Sequence, residues 1–380
     1  MQWIILLSLV GFNVFQRSEA ASFLDLFRPP NSQDKNEEKS LVLLHVLFRH
    51  GNRTADSKEE LYPTDPYYNK TYFPTGLGQL TEAGKMKEFN IGKQLRERYN
   101  NFLGNYVYPQ LVDARSTDYN RTKASLLYCL AGLFPPRGQQ IWNRRLDWQA
   151  VPYNYWSRNN DKVLLGVNCP KYIEDYRAQT LSPKQQAEYG MYKDTMAYIS
   201  KYSGLNVTTF LQVYQLYFGV STESEYGLKL PEWLEKIWPQ NITEIAIREY
   251  GVATATTTLR QMASGYLLKK IIEDTRNKID EDPDTEFKKK IYLYSAHESN
   301  VAHFLITLDL FKPHIPNYGA YVILEVHKID EVYGIKIYYQ NYVTDKPKLM
   351  KLPACDEFCP LDKFIQLYQE YIPSDSTCGI

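Results

Sequence analysis

The 380-residue chain balances 44 Lys plus Arg against 44 Asp plus Glu, with a pI near 7.0. No basic tail or stripe recommends nucleic acid as a partner. The length permits a large core divided among more than one structural unit.

In chain order, Ile4 to Phe12 form a short apolar stretch, and Ser18-Glu19-Ala20 ends it in a small-x-small pattern. A signal peptide over residues 1–20 is expected, followed by a polar leader over 21–39. The apolar run is too short to span a bilayer, no later window is long enough, and the tail is polar. The mature chain is therefore expected to be secreted, with no membrane attachment.

Leu41 to Phe48 is a continuous apolar run that opens into Arg49-His50-Gly51-Asn52-Arg53. Such runs suit strands buried on both faces. After a Pro/Tyr-rich loop, Thr81 is placed to cap a helix carrying Met86, Phe89, Leu95 and Tyr99 at helical spacing. Val112-Asp113-Ala114 predicts a second strand ending at Arg115-Ser116-Thr117-Asp118. A helix then runs from about Tyr119 to Phe134, where Pro135-Pro136 stops it.

Residues 145–250 are rich in Trp, Tyr, Asn and turn formers, with helical stretches such as Ala187 to Tyr202 and no buried-strand pattern. They read as a helical cap inserted into an α/β core of residues 40–144 and 251–380. A long helix is expected from Ala253 to Ile279. A second buried strand, Lys290 to Ala296, runs into His297-Glu298-Ser299-Asn300. Tyr321–Val326 and Gly334–Tyr339 predict a closing hairpin.

The cysteines suit an oxidising compartment. Cys355 and Cys359 sit in a proline-bounded loop suited to a local bridge, and no second Cys or His pair nearby argues for zinc. Cys129 falls on the apolar face of a helix as a buried thiol, which leaves Cys169 to pair with Cys378. Asn69, Asn206 and Asn241 head Asn-x-Thr sequons expected to carry glycan, whereas Asn52 and Asn120 are expected to be unmodified.

Ligands of open parallel sheets bind beyond the carboxyl ends of the strands. Were the two histidine strands neighbours, His50, His297, Arg49, Arg53 and Glu298 would meet at one rim, a site for an anion and for acid–base chemistry.

Arg49-His50-Gly51-x-Arg53 with the distal His297-Glu298 pair resembles the histidine acid phosphatase family, branch 2 of the histidine phosphatase superfamily. Tyr62–Tyr67, Gly76–Thr81, Arg115-Ser116-Thr117-Asp118 and Leu133–Pro136 with Trp142-Asn143 agree in order with its secreted animal branch, insect venom enzymes included. The resemblance implies a mostly parallel, doubly wound α/β sheet with helices on both faces and a helical cap, similar to phosphoglycerate mutase. It implies hydrolysis of small phosphate monoesters without metal or cofactor, and a tendency to dimerise.

Carried onto this chain, Arg49, Arg53 and Arg115 would hold the phosphoryl oxygens with His297 as a further donor. Planar guanidinium groups that stay charged suit a dianion. His50 would attack phosphorus, and Glu298 would protonate the leaving alkoxide. Arg121 is given a structural role, and His45 and His303 are read as packing or surface residues. The arginines should lower the pKa of His50. They should also pull Glu298 toward ionisation, which a bound dianion opposes.

The chain departs from the family pattern at Asn52, where Asp is common, at Thr54-Ala55, and at Glu298, where Asp is commonest. An inositol-phosphate phosphatase and a secreted binder without turnover are the competing readings.

Overall fold

The structure, a computed structural model, describes residues 39–56 and 60–379. The expected signal peptide over 1–20, and all but the last residue of the leader, lie outside them.

β1 (Leu41–Arg49) is buried from Leu43 onward because it runs through the middle of the sheet. Its side chains alternate between two helical layers, as the pleat requires. Leu44, Val46 and Phe48 pack against Ile91 and Leu95 of α1 (Glu82–Arg98) and Leu126 and Leu130 of α2 (Asn120–Leu133). On the opposite side, Leu43 and Leu47 share a core with residues that come from the chain's second half.

β2 (Val112–Ser116) and β3 (Asn154–Tyr155) form one edge of the sheet. The cap segment therefore also lends a two-residue strand to the core. Its helices follow as α3 (Pro170–Thr180), α4 (Pro183–Met191), α5 (Lys193–Ser203), α6 (Phe210–Glu225) and α7 (Gln240–Ala253). The helix expected over Ala187–Tyr202 is thus two helices that break at Tyr192. Ser182 caps the first of them, with Pro183 in its first turn. Ile199, Phe210, Val213, Leu216, Ile242 and Ile245 give this lobe its own apolar core.

The return helix begins at Thr257 rather than Ala253, because the Thr256 side chain accepts from Leu259 N and caps it there. It continues through a π-helical turn into α8 (Tyr266–Ile279). β4 (Ile291–Ala296) and α9 (Glu298–Thr307) follow. Leu267 and Ile271 of α8, with Phe304 of α9, cover the Leu43 face of β1.

β4 pairs in parallel with β1 on one side and with β2 on the other. Arg49 lies opposite Ala296, so the residues that follow each strand emerge side by side. β5 (Tyr321–Ile329), β6 (Val332–Gln340), β7 (Lys348–Met350) and β8 (Cys359–Pro360) extend the sheet beyond β1 by antiparallel pairing. The sheet is therefore mixed, parallel over β3-β2-β4-β1 and antiparallel beyond. Residues 41–380 cluster as one compact unit.

Cys169 is bonded to Cys378 and Cys355 to Cys359, and Cys129 is a buried free thiol. Asn69, Asn206 and Asn241 are exposed. Among the described residues no helix is long and apolar enough to cross a membrane.

One buried polar feature joins cap to core. Asp65 Oδ2 and both carboxyl oxygens of Glu223, on α6, are shielded from solvent, and no other residue donates to them. Asp65 is the neighbouring group that bears on the Glu223 carboxyl. Burial, then the hydrogen bond with Asp65 and its charge, push Glu223 up to about 9. Burial likewise pushes Glu249 up to about 8, against the hydrogen bond from Tyr176.

A carboxyl whose folded pKa lies above its unfolded value favours the fold while protonated. That contribution is complete below about pH 4.5 and is lost as pH rises toward 8–9. Up to about pH 6.5 the buried histidines, held neutral by their lowered pKa values, work the other way, so the melting temperature is expected to fall only above that pH. Glu223→Gln should flatten that fall in thermal unfolding, and a difference from the wild-type melting temperature that does not change between about pH 6.5 and pH 8 would contradict the assignment.

Candidate active site

Arg49 closes β1, only 2% exposed. Its guanidinium carbon lies 3.7 Å from the Tyr318 ring centroid and 5.4 Å from that of Phe218 on α6. Nη1 donates to Pro316 O at 2.6 Å, while Nε and Nη2 have no hydrogen-bond partner in the protein. Buried guanidinium N–H groups of this kind are aimed at an anion or are costly.

His50 follows, its backbone held between two neighbours. His50 N donates to Ala296 O at 3.0 Å, and Gly319 N donates to His50 O at 3.2 Å. The next residue must be glycine. A Cβ on Gly51 would stand 2.4 Å from Gly84 O, and one on Gly84 would stand 2.1 Å from Asn52 O. The start of α1, capped by Thr81, presses directly on this loop.

The His50 ring is fixed in one tautomer. Nδ1 lies 2.9 Å from Gly51 O, and a carbonyl only accepts, so Nδ1 carries the proton. Nε2 keeps its lone pair and accepts from Arg121 Nε at 3.2 Å.

His297 precedes α9 as its N-cap. Its side chain accepts from Asn300 N, leaving Nε2–H to donate to Thr117 Oγ1 at 3.0 Å. The two imidazole centroids are 5.6 Å apart, near perpendicular. Glu298 opens α9, its Oε2 3.8 Å from Arg49 Nε, and the Tyr214 hydroxyl of α6 donates to Oε1. Arg53 is gripped by Glu60 through two hydrogen bonds of 2.8 and 2.5 Å, while its Nε is unpartnered.

Arg115 is the correction. It sits inside β2, opposite Tyr294, short of the strand's end. Its Nη2 lies 2.5 Å from the buried Asp161, and its guanidinium stacks on Trp156 at 3.9 Å. The cation beside His50 is instead Arg121, whose Nη2 pairs with Asp56 Oδ2 at 2.9 Å. The role assigned to Arg121 from sequence was purely structural. A signal was available, since a basic residue in the first turn of a helix opposes the helix dipole and asks for another reason to be there.

Burial first, then the charges of Arg121, Arg49, His297 and Arg53, hold the His50 pKa well below its ordinary value. Burial and Arg121 lower His297 to about 3, against the opposing pull of Glu298. Burial alone would raise the Glu298 carboxyl, but Arg49, His297 and the Tyr214 hydrogen bond outweigh it and hold it down to about 2. Neutral imidazoles thus sit among permanent cations, with the carboxylates of Glu298, Glu60 and Asp56 against Arg49, Arg53 and Arg121.

His45 and His303 are interior packing residues. His45 stacks on Tyr292 at 4.9 Å and hydrogen-bonds Thr275, and His303 packs edge-on to Tyr250. Among the described residues no group of three or more His, Cys, Asp or Glu side chains is placed to hold a metal ion.

The model of the histidine phosphatase superfamily (branch 2) matches residues 40–340. A venom acid phosphatase of Apis mellifera is 36% identical over 340 residues, covering 89% of this chain and 87% of that protein. The prostatic acid phosphatase of Homo sapiens is 30% identical over 345 residues, with 89% and 87% covered. A Hafnia alvei phytase solved in complex with tartrate superposes with a TM-score of 0.64 at 15% identity, over 89% of this chain and 98% of that one. At that identity the phytase speaks for the fold alone.

Proposed function

The chain belongs to branch 2 of the histidine phosphatase superfamily and is a phosphomonoester hydrolase of the acid phosphatase kind, and from that premise we propose that His50 is its nucleophile. The observation that carries this reading is the Nε2 lone pair of a neutral, tautomer-fixed His50 standing against Arg121. Arg49 and Arg53 offer unpartnered N–H groups nearby.

The phosphoryl oxygens would lie on Arg49, Arg53 and Arg121, with His297 Nε2–H turning from Thr117 to a further oxygen. Arg115 is left to hold Asp161. Nε2 attacks phosphorus as the ester P–O bond breaks, and Glu298 protonates the departing oxygen. Water then attacks the phosphohistidine, Glu298 takes its proton, and inorganic phosphate leaves with His50 restored.

Glu298 begins as a carboxylate, so it must acquire a proton with the substrate. Phosphate monoester dianions take up one proton near pH 6. Below that pH the substrate arrives as a monoanion that brings the proton in, and its charge raises the Glu298 pKa. His50, its own pKa depressed, stays nucleophilic in the same range. Acid conditions thus load the donor without disarming the nucleophile.

The Ser18-Glu19-Ala20 pattern and the two disulfides support secretion. The test is hydrolysis of p-nitrophenyl phosphate at about pH 5, with alkaline quench of a reaction using ³²P-labelled substrate. Label should be recovered on the His50 peptide in an alkali-stable, acid-labile linkage. Turnover with no label, or with label on another residue, would remove His50 from the role.

A further inference from the structure

Tyr119 is the hinge between the reacting centre and the solvent. Its ring stands edge-on to His297, with centroids 4.9 Å apart, and the Arg121 guanidinium carbon is 4.6 Å from its centroid. A second guanidinium, that of Arg158, lies 3.8 Å from the same centroid. The two cations are therefore no farther apart than those two distances laid end to end.

Arg158 is held in place. Its Nε donates to Asp118 O at 3.0 Å, and Asn168 Nδ2 donates to Arg158 O at 3.0 Å, which fixes the backbone on which it stands. It is exposed. Among the described residues no carboxylate pairs with it, because Asp118 Oδ1 is taken by Lys123 at 2.6 Å and Asp161 by Arg115. An ordered arginine offering its terminal N–H groups to solvent, one aromatic ring from the phosphoryl-binding arginine, is a ready second anchor for an anion.

We propose that Arg158 binds a second anionic group on the substrate. The enzyme then favours phosphate monoesters whose leaving group carries a carboxylate or another phosphate a few bonds from the ester oxygen. The inference rests on the reading of His50, Arg121 and His297 as the phosphoryl site and adds a preference to it. An anion there would meet Arg158 directly, with Tyr119 fixing its distance from the bond that breaks.

The experiment compares kcat/KM of the full chain for propyl phosphate, 3-carboxypropyl phosphate, propane-1,3-diyl bisphosphate and 3-aminopropyl phosphate. The expected order is both anionic tails above the neutral one, and the neutral one above the cationic. The anionic-to-neutral ratio should be about three to ten, as for a charge-assisted hydrogen bond at an exposed position. It should shrink in ~0.5 M NaCl, since exposed charges are screened.

Arg158→Gln should bring the ratio to about one, Arg158→Lys should keep part of it, and Arg158→Glu should invert the order. If Arg158 only steadied Tyr119, Arg158→Gln would scale all four substrates alike, and that result overturns the proposal, as does an unchanged ratio. Failure of the wild type on all four esters would instead bring down the phosphatase reading beneath it.

Discussion

His50→Ala should lower kcat on p-nitrophenyl phosphate by about four orders of magnitude or more, the scale seen when a covalent nucleophile is removed. The loss should fall on kcat while binding survives. Arg49, Arg53, Arg121 and His297 are anchored by Pro316, Glu60, Asp56 and Asn300 independently of the His50 ring. The inhibition constant for inorganic phosphate should therefore move by less than about tenfold. A variant with substantial turnover, or one that has lost phosphate binding together with turnover, would speak against this division of labour.

Arg121→Ala and Arg115→Ala form the second comparison, and they separate the two arginines that sequence and structure rank differently. Arg121 touches His50 itself at 3.2 Å and carries the leading charge on it. Its loss should cost about two to three orders of magnitude in kcat/KM, as for other preorganised donors to a developing oxyanion. It should also raise the His50 pKa, moving the acid limb of the pH–rate profile upward.

Arg115→Ala leaves Asp161 buried without its cation, which should cost stability on the order of 3–5 kcal/mol. A folded Arg115→Ala protein should keep that acid limb where the wild type has it. If Arg115→Ala shifts the limb and Arg121→Ala does not, the assignment reverses.

Much of this arrangement was legible in the sequence, for reasons that can be located. β1 and β4 are buried on both faces, so they announce themselves as apolar runs, and the residues just past them had to stand at the sheet's rim. The hairpin of β5 and β6 and the stop of α2 at Pro135 were readable from local pattern and turn chemistry.

What remained hidden depends on tertiary neighbours. Tyr214 reaches Glu298, and Glu223 meets Asp65, across separations no periodicity records. The contest between Arg115 and Arg121 turned on one strand residue lying short of the sheet's edge while a helical one overhangs it. Only the pairing of β2 with β4 shows that. The sheet's change from parallel to antiparallel at β1 is likewise set by strand order, which an apolar run does not encode.

α6 has a consequence for how its lobe is held. The same helix supplies Tyr214 to Glu298, Phe218 to Arg49, and Glu225 to the Asn52 amide at 2.8 Å. Swinging it outward would strip Glu298 and Arg49 of their partners at once. These contacts therefore fasten the lobe to the residues that follow β1 and β4. One helix thus ties both residues, and the loop that carries Asn52, to the same lobe.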